Sequence, residues 1–142
     1  MIAFFLLIVI NLLILIETRE PQRFKEVKEK YRILREHLKD TNNEKYSMLT
    51  RCIPITGILY MNGAIGYNTN KGGDIVVCLD GETNEIFHVL IHELAHCTVS
   101  EYDHSEQFWK NYIELRDISE NIGIYEKIPT KTKFCGEHVQ DK

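Results

Sequence analysis

The sequence has 142 residues, 44% of them apolar, and a formal net charge of −4. That length serves one compact domain and not two. The acidic balance, with no basic stripe interleaved with aromatics, excludes a protein that grips nucleic acid through its phosphates, so no nucleic-acid partner is expected.

The first stretch differs from everything after it. From Ile2 to Ile16 there are fourteen apolar residues and one Asn, Asn11, with no charge before Glu17. A segment of this kind is directed to a membrane, although it is shorter than the ~20 residues that span a bilayer comfortably. No basic residue precedes the run and no small-x-small site follows it, which favours a retained anchor over a cleaved signal peptide. Residues 1–17 are therefore expected to be a transmembrane anchor in a viral or host membrane, and 18–142 a single domain. Arg19, Arg23, Lys25, Lys28 and Lys30 crowd the carboxyl side of the segment, which places that domain in the cytoplasm. Cys52, Cys78, Cys97 and Cys135 form no C-x-x-C pair, and in the cytoplasm they are expected as free thiols, two disulfides being the alternative.

Gln22 to Asp40 reads as a helix behind Pro21, with Phe24, Val27, Tyr31, Leu34 and Leu38 on one face. From Met48 to Asp80 β-branched and aromatic residues dominate. Strands are expected at Thr56–Tyr60, Ala64–Thr69 and Asp74–Leu79, the last two joined by a hairpin turn at Asn70-Lys71-Gly72-Gly73. A helix with Thr83 as N-cap follows, packing through Phe87, Leu90, Ile91, Leu94 and Thr98. A last helix starts at an Asp103/Glu106 capping box, buries Phe108, Tyr112, Leu115, Ile118 and Ile122, and closes at Gly123. Trp109 is expected to pack.

The second of these helices, behind Thr83, carries His92-Glu93-Leu94-Ala95-His96. Residues four apart are displaced by about one turn, roughly 6 Å, and point the same way, so two imidazoles can reach one ion. Glu93, rotated by about a quarter turn, stays out of the coordination sphere yet can take a proton from an activated water. A catalytic zinc needs a third protein ligand and an open fourth position. His104, eight residues beyond His96, is the first candidate, with Glu101, Glu114 and Glu120 as alternatives. Imidazole ligands suit Zn2+. His88, one turn before His92, would pair with Val89 in the place of the base, so it is expected at the surface or supporting the ligands. Peptide hydrolysis by a metal-activated water, with Glu93 as general base, is the reaction these residues point to. The alternative is a non-catalytic, zinc-stabilised interaction module at a membrane.

The string HELAHCTVSEYDHSEQFW, His92 to Trp109, resembles the small zinc metallopeptidases of the WLM and SprT-like group. Proteins of large DNA viruses are similar as well, including the later Gly123-Ile124-Tyr125 and Phe134-Cys135-Gly136. The likeness runs from about Tyr67 onward. It implies an α+β, zincin-like minimal metallopeptidase domain: a helix, a small antiparallel sheet, the HExxH helix and a C-terminal helix. It also implies zinc at His92, His96 and His104 with Glu93 as base. Seven residues, Cys97 to Asp103, separate the second and third histidines where many members have five, and Val99 stands where metzincins have Gly. Some relatives act on proteins crosslinked to DNA, a task that the acidic charge and apolar start argue against here. A peptide substrate would add to an edge strand, Ala64–Thr69 or Asp74–Leu79. Tyr67, Tyr102 and Tyr125 are possible oxyanion donors, with packing the more ordinary role for each.

Overall fold

A computed structural model describes residues 1–142. Helix α1, Ile2–Glu17, buries none of its residues, and Asn11 returns its side-chain amide to Leu7 O at 2.7 Å. Sixteen residues rise about 24 Å, less than the ~30 Å of a bilayer's hydrocarbon. No single helix is long and apolar enough to cross a membrane; α1 meets that test only together with α2, from which it is bent by 42°.

Helix α2, Gln22–Asp40, buries Phe24, Val27, Tyr31, Leu34 and Leu38, the five that its apolar spacing predicts. Tyr31 Oη accepts the Ile53 N–H at 3.0 Å, tying the helix to the chain entering the sheet. A 3-10 turn, Glu44–Leu49, lies between, adding buried Tyr46 and Leu49.

The sheet has strands β1 (Ile55–Ile58), β2 (Gly66–Thr69) and β3 (Asp74–Cys78) in the order β1-β3-β2. It is mixed, not antiparallel as expected: β1 runs parallel to β3, and β2 antiparallel to it. The reason lies in the connections. The tight 70–73 loop, with Asn70 and Lys71 at φ 50° and 48°, folds β3 back along β2. The 59–65 segment, by contrast, carries the chain past β3 instead of turning it onto β1. β3 is the central strand, and its unbroken apolar run is buried on both faces, as a central strand requires. Asp74–Leu79 therefore offers no free edge; β2 does.

Helix α3, Thr83–His96, begins one residue earlier than expected: Glu82 is the N-cap, and the Glu85 carboxylate accepts its N–H at 2.9 Å. Thr83 instead donates its hydroxyl to Glu26 of α2 at 2.7 Å. Helix α4, Glu106–Asn121, is capped by Ser105, whose Oγ accepts the Phe108 N–H at 3.2 Å, so Asp103 is left free of that role. At its other end Gly123 takes φ 76°, and the N–H of Ile124 reaches back to Ser119 O, the left-handed closure that glycine allows. α3 is packed between α2, the sheet and α4.

Beyond α4 a hairpin that sequence periodicity does not reveal pairs β4 (Thr132–Phe134) with β5 (Glu137–Val139). Cys135 and Gly136 both have positive φ at its turn. Cys135 is bonded to Cys78 at the end of β3, while Cys52 and Cys97 stay unpaired; free thiols are thus found at only two of the four positions. The hairpin seats Phe134 against Gly81, where a Cβ would come within 2.3 Å of the ring.

The cross-link joins residues 57 apart, so removing it frees a long loop in the unfolded chain. Cys78→Ser with Cys135→Ser is expected to cost about 2–4 kcal/mol, read as a lower denaturation midpoint in urea. An equal midpoint in oxidised and reduced protein would show that the bond does not form.

Candidate active site

α3 points His92 and His96 out of the core in the same direction, and the loop after it returns His104 to them. The Nε2 of His104 lies 2.9 Å from that of His92 and 3.2 Å from that of His96. All three ligand atoms fall within 4.8 Å of one another. The ring of Phe108, itself fully buried, forms the floor, with centroids 4.9, 4.3 and 4.7 Å from those of His92, His96 and His104. Trp109 packs at the side, 5.5 Å from His104.

The long spacer is held from below by the β2–β3 loop. Lys71 Nζ donates to Val99 O at 2.6 Å and to Glu101 O at 2.5 Å, and lies 4.5 Å from the Tyr102 ring. Thr98 Oγ accepts from Asn111 of α4 at 2.8 Å. Asn68 of β2 donates to Glu93 O at 2.9 Å and accepts the Gly72 N–H at 2.7 Å, which locks the edge strand to α3. β2 can approach this closely because Gly66 has no side chain: a Cβ there would come within 2.6 Å of Val89. The seven-residue spacing is accommodated in this way, as a loop folded over one lysine. Glu101 is exposed and bonded to Ser100, Glu114 is taken by Tyr46 and Lys45, and Glu120 pairs with Lys127. None of these glutamates joins the histidines.

Glu93 is 7% exposed, and no hydrogen bond from the protein reaches its carboxylate. Burial pushes its pKa up to about 7. Burial, then the charges of His96 and His104, press His92 down to about 3, and His96 is lowered by burial and His104. Both rings thus offer lone pairs, the form a metal requires. A cavity of about 440 Å³ opens over the cluster between α3 and β2; Tyr67 and Tyr102 line it together with Glu93 and the three histidines. Tyr125 does not line it: its hydroxyl is committed to Asp141 at 2.7 Å.

Of the two places expected for His88, at the surface or supporting the ligands, the surface one is not found: the residue is buried. It belongs to a network with Tyr112, Tyr125 and Asp141 behind the cavity. Burial works against the charge on Asp141. Hydrogen bonds from His88, the Ile128 N–H, Tyr125 and Tyr112 outweigh it and hold the carboxyl well below its ordinary range. Sequence reasoning missed Asp141, Lys71 and Asn68. Asn68 and Lys71 lie in the polar run into a turn and Asp141 between Gln140 and Lys142, where nothing in the local pattern sets them apart, and only the fold shows what each meets.

A family model described as "WLM domain" matches residues 29–141. The chain belongs to the WLM domain family. The matched WLM region contains every element from α2 to β5 except the first turns of α2. The chain is also similar to an uncharacterised protein, R325, of Acanthamoeba polyphaga mimivirus, with 34% identity over 92 residues that cover 55% of this chain and 47% of the relative. It therefore matches about half the length of that protein. Among solved structures it is similar to the metallopeptidase zymogen of Pyrococcus abyssi abylysin, with 25% identity and a TM-score of 0.42, covering 68% of this chain and 97% of the other.

Because the ionised Asp141 is stabilised in the fold relative to an unfolded pKa of about 3.9, its contribution is complete above that value and fades as pH falls below it. Asp141→Asn is expected to cost roughly 1–3 kcal/mol near neutrality. The gap in melting temperature between variant and parent should narrow as pH drops from about 4 toward 2. A gap that stays constant over that range would show that the charge contributes nothing.

Proposed function

We propose that the protein is a zinc-dependent metallopeptidase in which His92, His96 and His104 hold the ion and Glu93 is the general base. The observation that carries this is the convergence of three imidazole Nε2 atoms beside a buried carboxylate that no protein group satisfies. The donor set fits the ion. Bonds of about 2.0–2.1 Å in a tetrahedron require ligand atoms roughly 3.3–3.4 Å apart, against the 2.9 and 3.2 Å found. Three ligands leave one position open, which distinguishes a catalytic from a structural zinc. When bound, the ion supplies Lewis acidity, polarising a carbonyl and making water acidic near neutral pH.

The chain's own residues supply the rest. Glu93 sits beside His92 at the cavity wall and can accept a proton from water there, then deliver it to the departing amine. Its raised pKa suits both acts, since a group poised near 7 gives and takes protons with similar ease. β2 presents a free edge along the cavity, so an extended peptide or protein segment can add to it by backbone hydrogen bonds. Membership of the WLM family supports the same reading.

Glu93→Gln keeps the shape of the side chain and removes the base. Hydrolysis of an unstructured protein substrate such as casein should fall by roughly 10²–10⁴-fold, with zinc content unchanged by metal analysis. Undiminished hydrolysis in that variant would remove Glu93 from the mechanism.

We further propose that α1 anchors the protein to a membrane. It supports this that none of its apolar side chains is buried in the fold and nearly all are exposed. The basic residues after it support a cytoplasmic domain, while the Cys78–Cys135 bond fits an oxidising surrounding. The full chain should float with phospholipid vesicles, and a chain lacking residues 2–16 should remain at the bottom of the gradient. Flotation of both would place the membrane contact elsewhere.

A further inference from the structure

Behind the cavity, one ring nitrogen is held in place by the fold and yet used by nothing in it. His88 lies one turn before His92 on α3, is 8% exposed, and borders the same cavity as His92 and Glu93. Its Nδ1 lies 2.9 Å from Tyr125 Oη, 3.2 Å from Tyr112 Oη and 3.4 Å from Asp141 Oδ1. Each tyrosine has a single hydroxyl proton, and each gives it to Asp141: Tyr112 to Oδ1 at 2.8 Å, Tyr125 to Oδ2 at 2.7 Å. Every oxygen facing Nδ1 is then an acceptor. With both hydroxyl protons given to the carboxylate, the nearer acceptor in each case, Nδ1 is the ring nitrogen that donates, and the neutral ring in that tautomer has Nε2 as a bare lone pair.

That lone pair has no protein donor. It is not sealed in either, because the one buried side-chain polar atom without a partner is Arg35 Nε. Nε2 is therefore open to the cavity, on a ring whose orientation two tyrosines and a carboxylate fix. One helical turn is about 5.4 Å, or between one and two residues of an extended chain. A peptide crossing the His92, His96 and His104 cluster would thus bring a side chain one or two positions from its central bond over His88.

We infer that His88 is a substrate-recognition residue, whose Nε2 accepts a hydrogen bond from a hydroxyl, amide or amino group on a peptide side chain at that position. This rests on the peptidase reading above. An apolar side chain there would strip water from Nε2 and return nothing, which is the costly case for a buried acceptor. An acidic one would meet both the lone pair and the charge of Asp141 behind it.

The test reads binding in the zinc-loaded full chain bearing Glu93→Gln, with extended decapeptides that differ only in having Thr or Val, which are of similar shape, at each position in turn. At one position the Thr peptide should bind about tenfold more tightly than the Val peptide, the worth of one hydrogen bond. Adding His88→Phe should abolish that preference, and His88→Gln, which keeps an acceptor, should restore part of it. Nitrogen-15 spectra of the histidine rings in the parent chain should independently show the Nδ1–H form at His88. Equal binding of Thr and Val at every position, a preference that survives His88→Phe, or the Nε2–H form would each overturn the inference. Failure of the parent to cut any of these peptides would sink the peptidase reading alone, since the affinity comparison needs no turnover.

Discussion

The structure depends on holding α3 rigid while its outward face remains polar. Three imidazoles whose nitrogens lie about 3 Å apart repel protons from one another, and Glu93 beside them is largely withdrawn from water, with its carboxylate at the cavity wall. Neither condition is favourable by itself, since taking a carboxylate largely out of water disfavours its charged form. Burial of the opposite face offsets it. Ile86, Phe87, Leu90, Ile91, Leu94 and Ala95 are all fully buried, and each large apolar side chain contributes roughly 1.5–3 kcal/mol.

Around that helix the remaining elements act as clamps. β2 is keyed to it through Asn68 and brought close by Gly66, and the loop beyond β2 carries Lys71 under the segment that delivers His104. α4 supplies Phe108 as the floor and Asn111 as a tie to Thr98. The hairpin β4–β5, cross-linked to β3, brings Asp141 to His88 from the far side. The histidine cluster is held in this way by side chains that the surrounding elements fix in place.

The cavity that results has two walls of different character. The β2 wall offers backbone groups, which suit an extended chain of any sequence. The α3 wall offers the metal-type cluster, the unpaired carboxylate and, one turn away, a ring nitrogen with a fixed tautomer. Affinity would come from the first wall and chemistry and selection from the second, the usual division where a peptide adds to an edge strand.

Much of this was legible in the sequence because it is local. Helical spacing alone places His92, His96 and Glu93, and the apolar period names all five buried residues of α2. The unbroken run Ile75-Val76-Val77-Cys78-Leu79 marks a strand buried on both faces, and turn-forming residues locate the hairpin before it. What the sequence could not determine is whatever depends on meeting at a distance. Strand direction was set by how the 59–65 segment crosses β3, the third ring by a loop folded over Lys71, and the cysteine pairing by a hairpin too short to show a period. The environment of His88 was decided by Asp141, 53 positions along the chain. Periodicity reports which face of an element is apolar; only the packed chain fixes which groups of other elements stand opposite it, because those contacts are chosen by shape and hydrogen bonding between segments far apart in sequence.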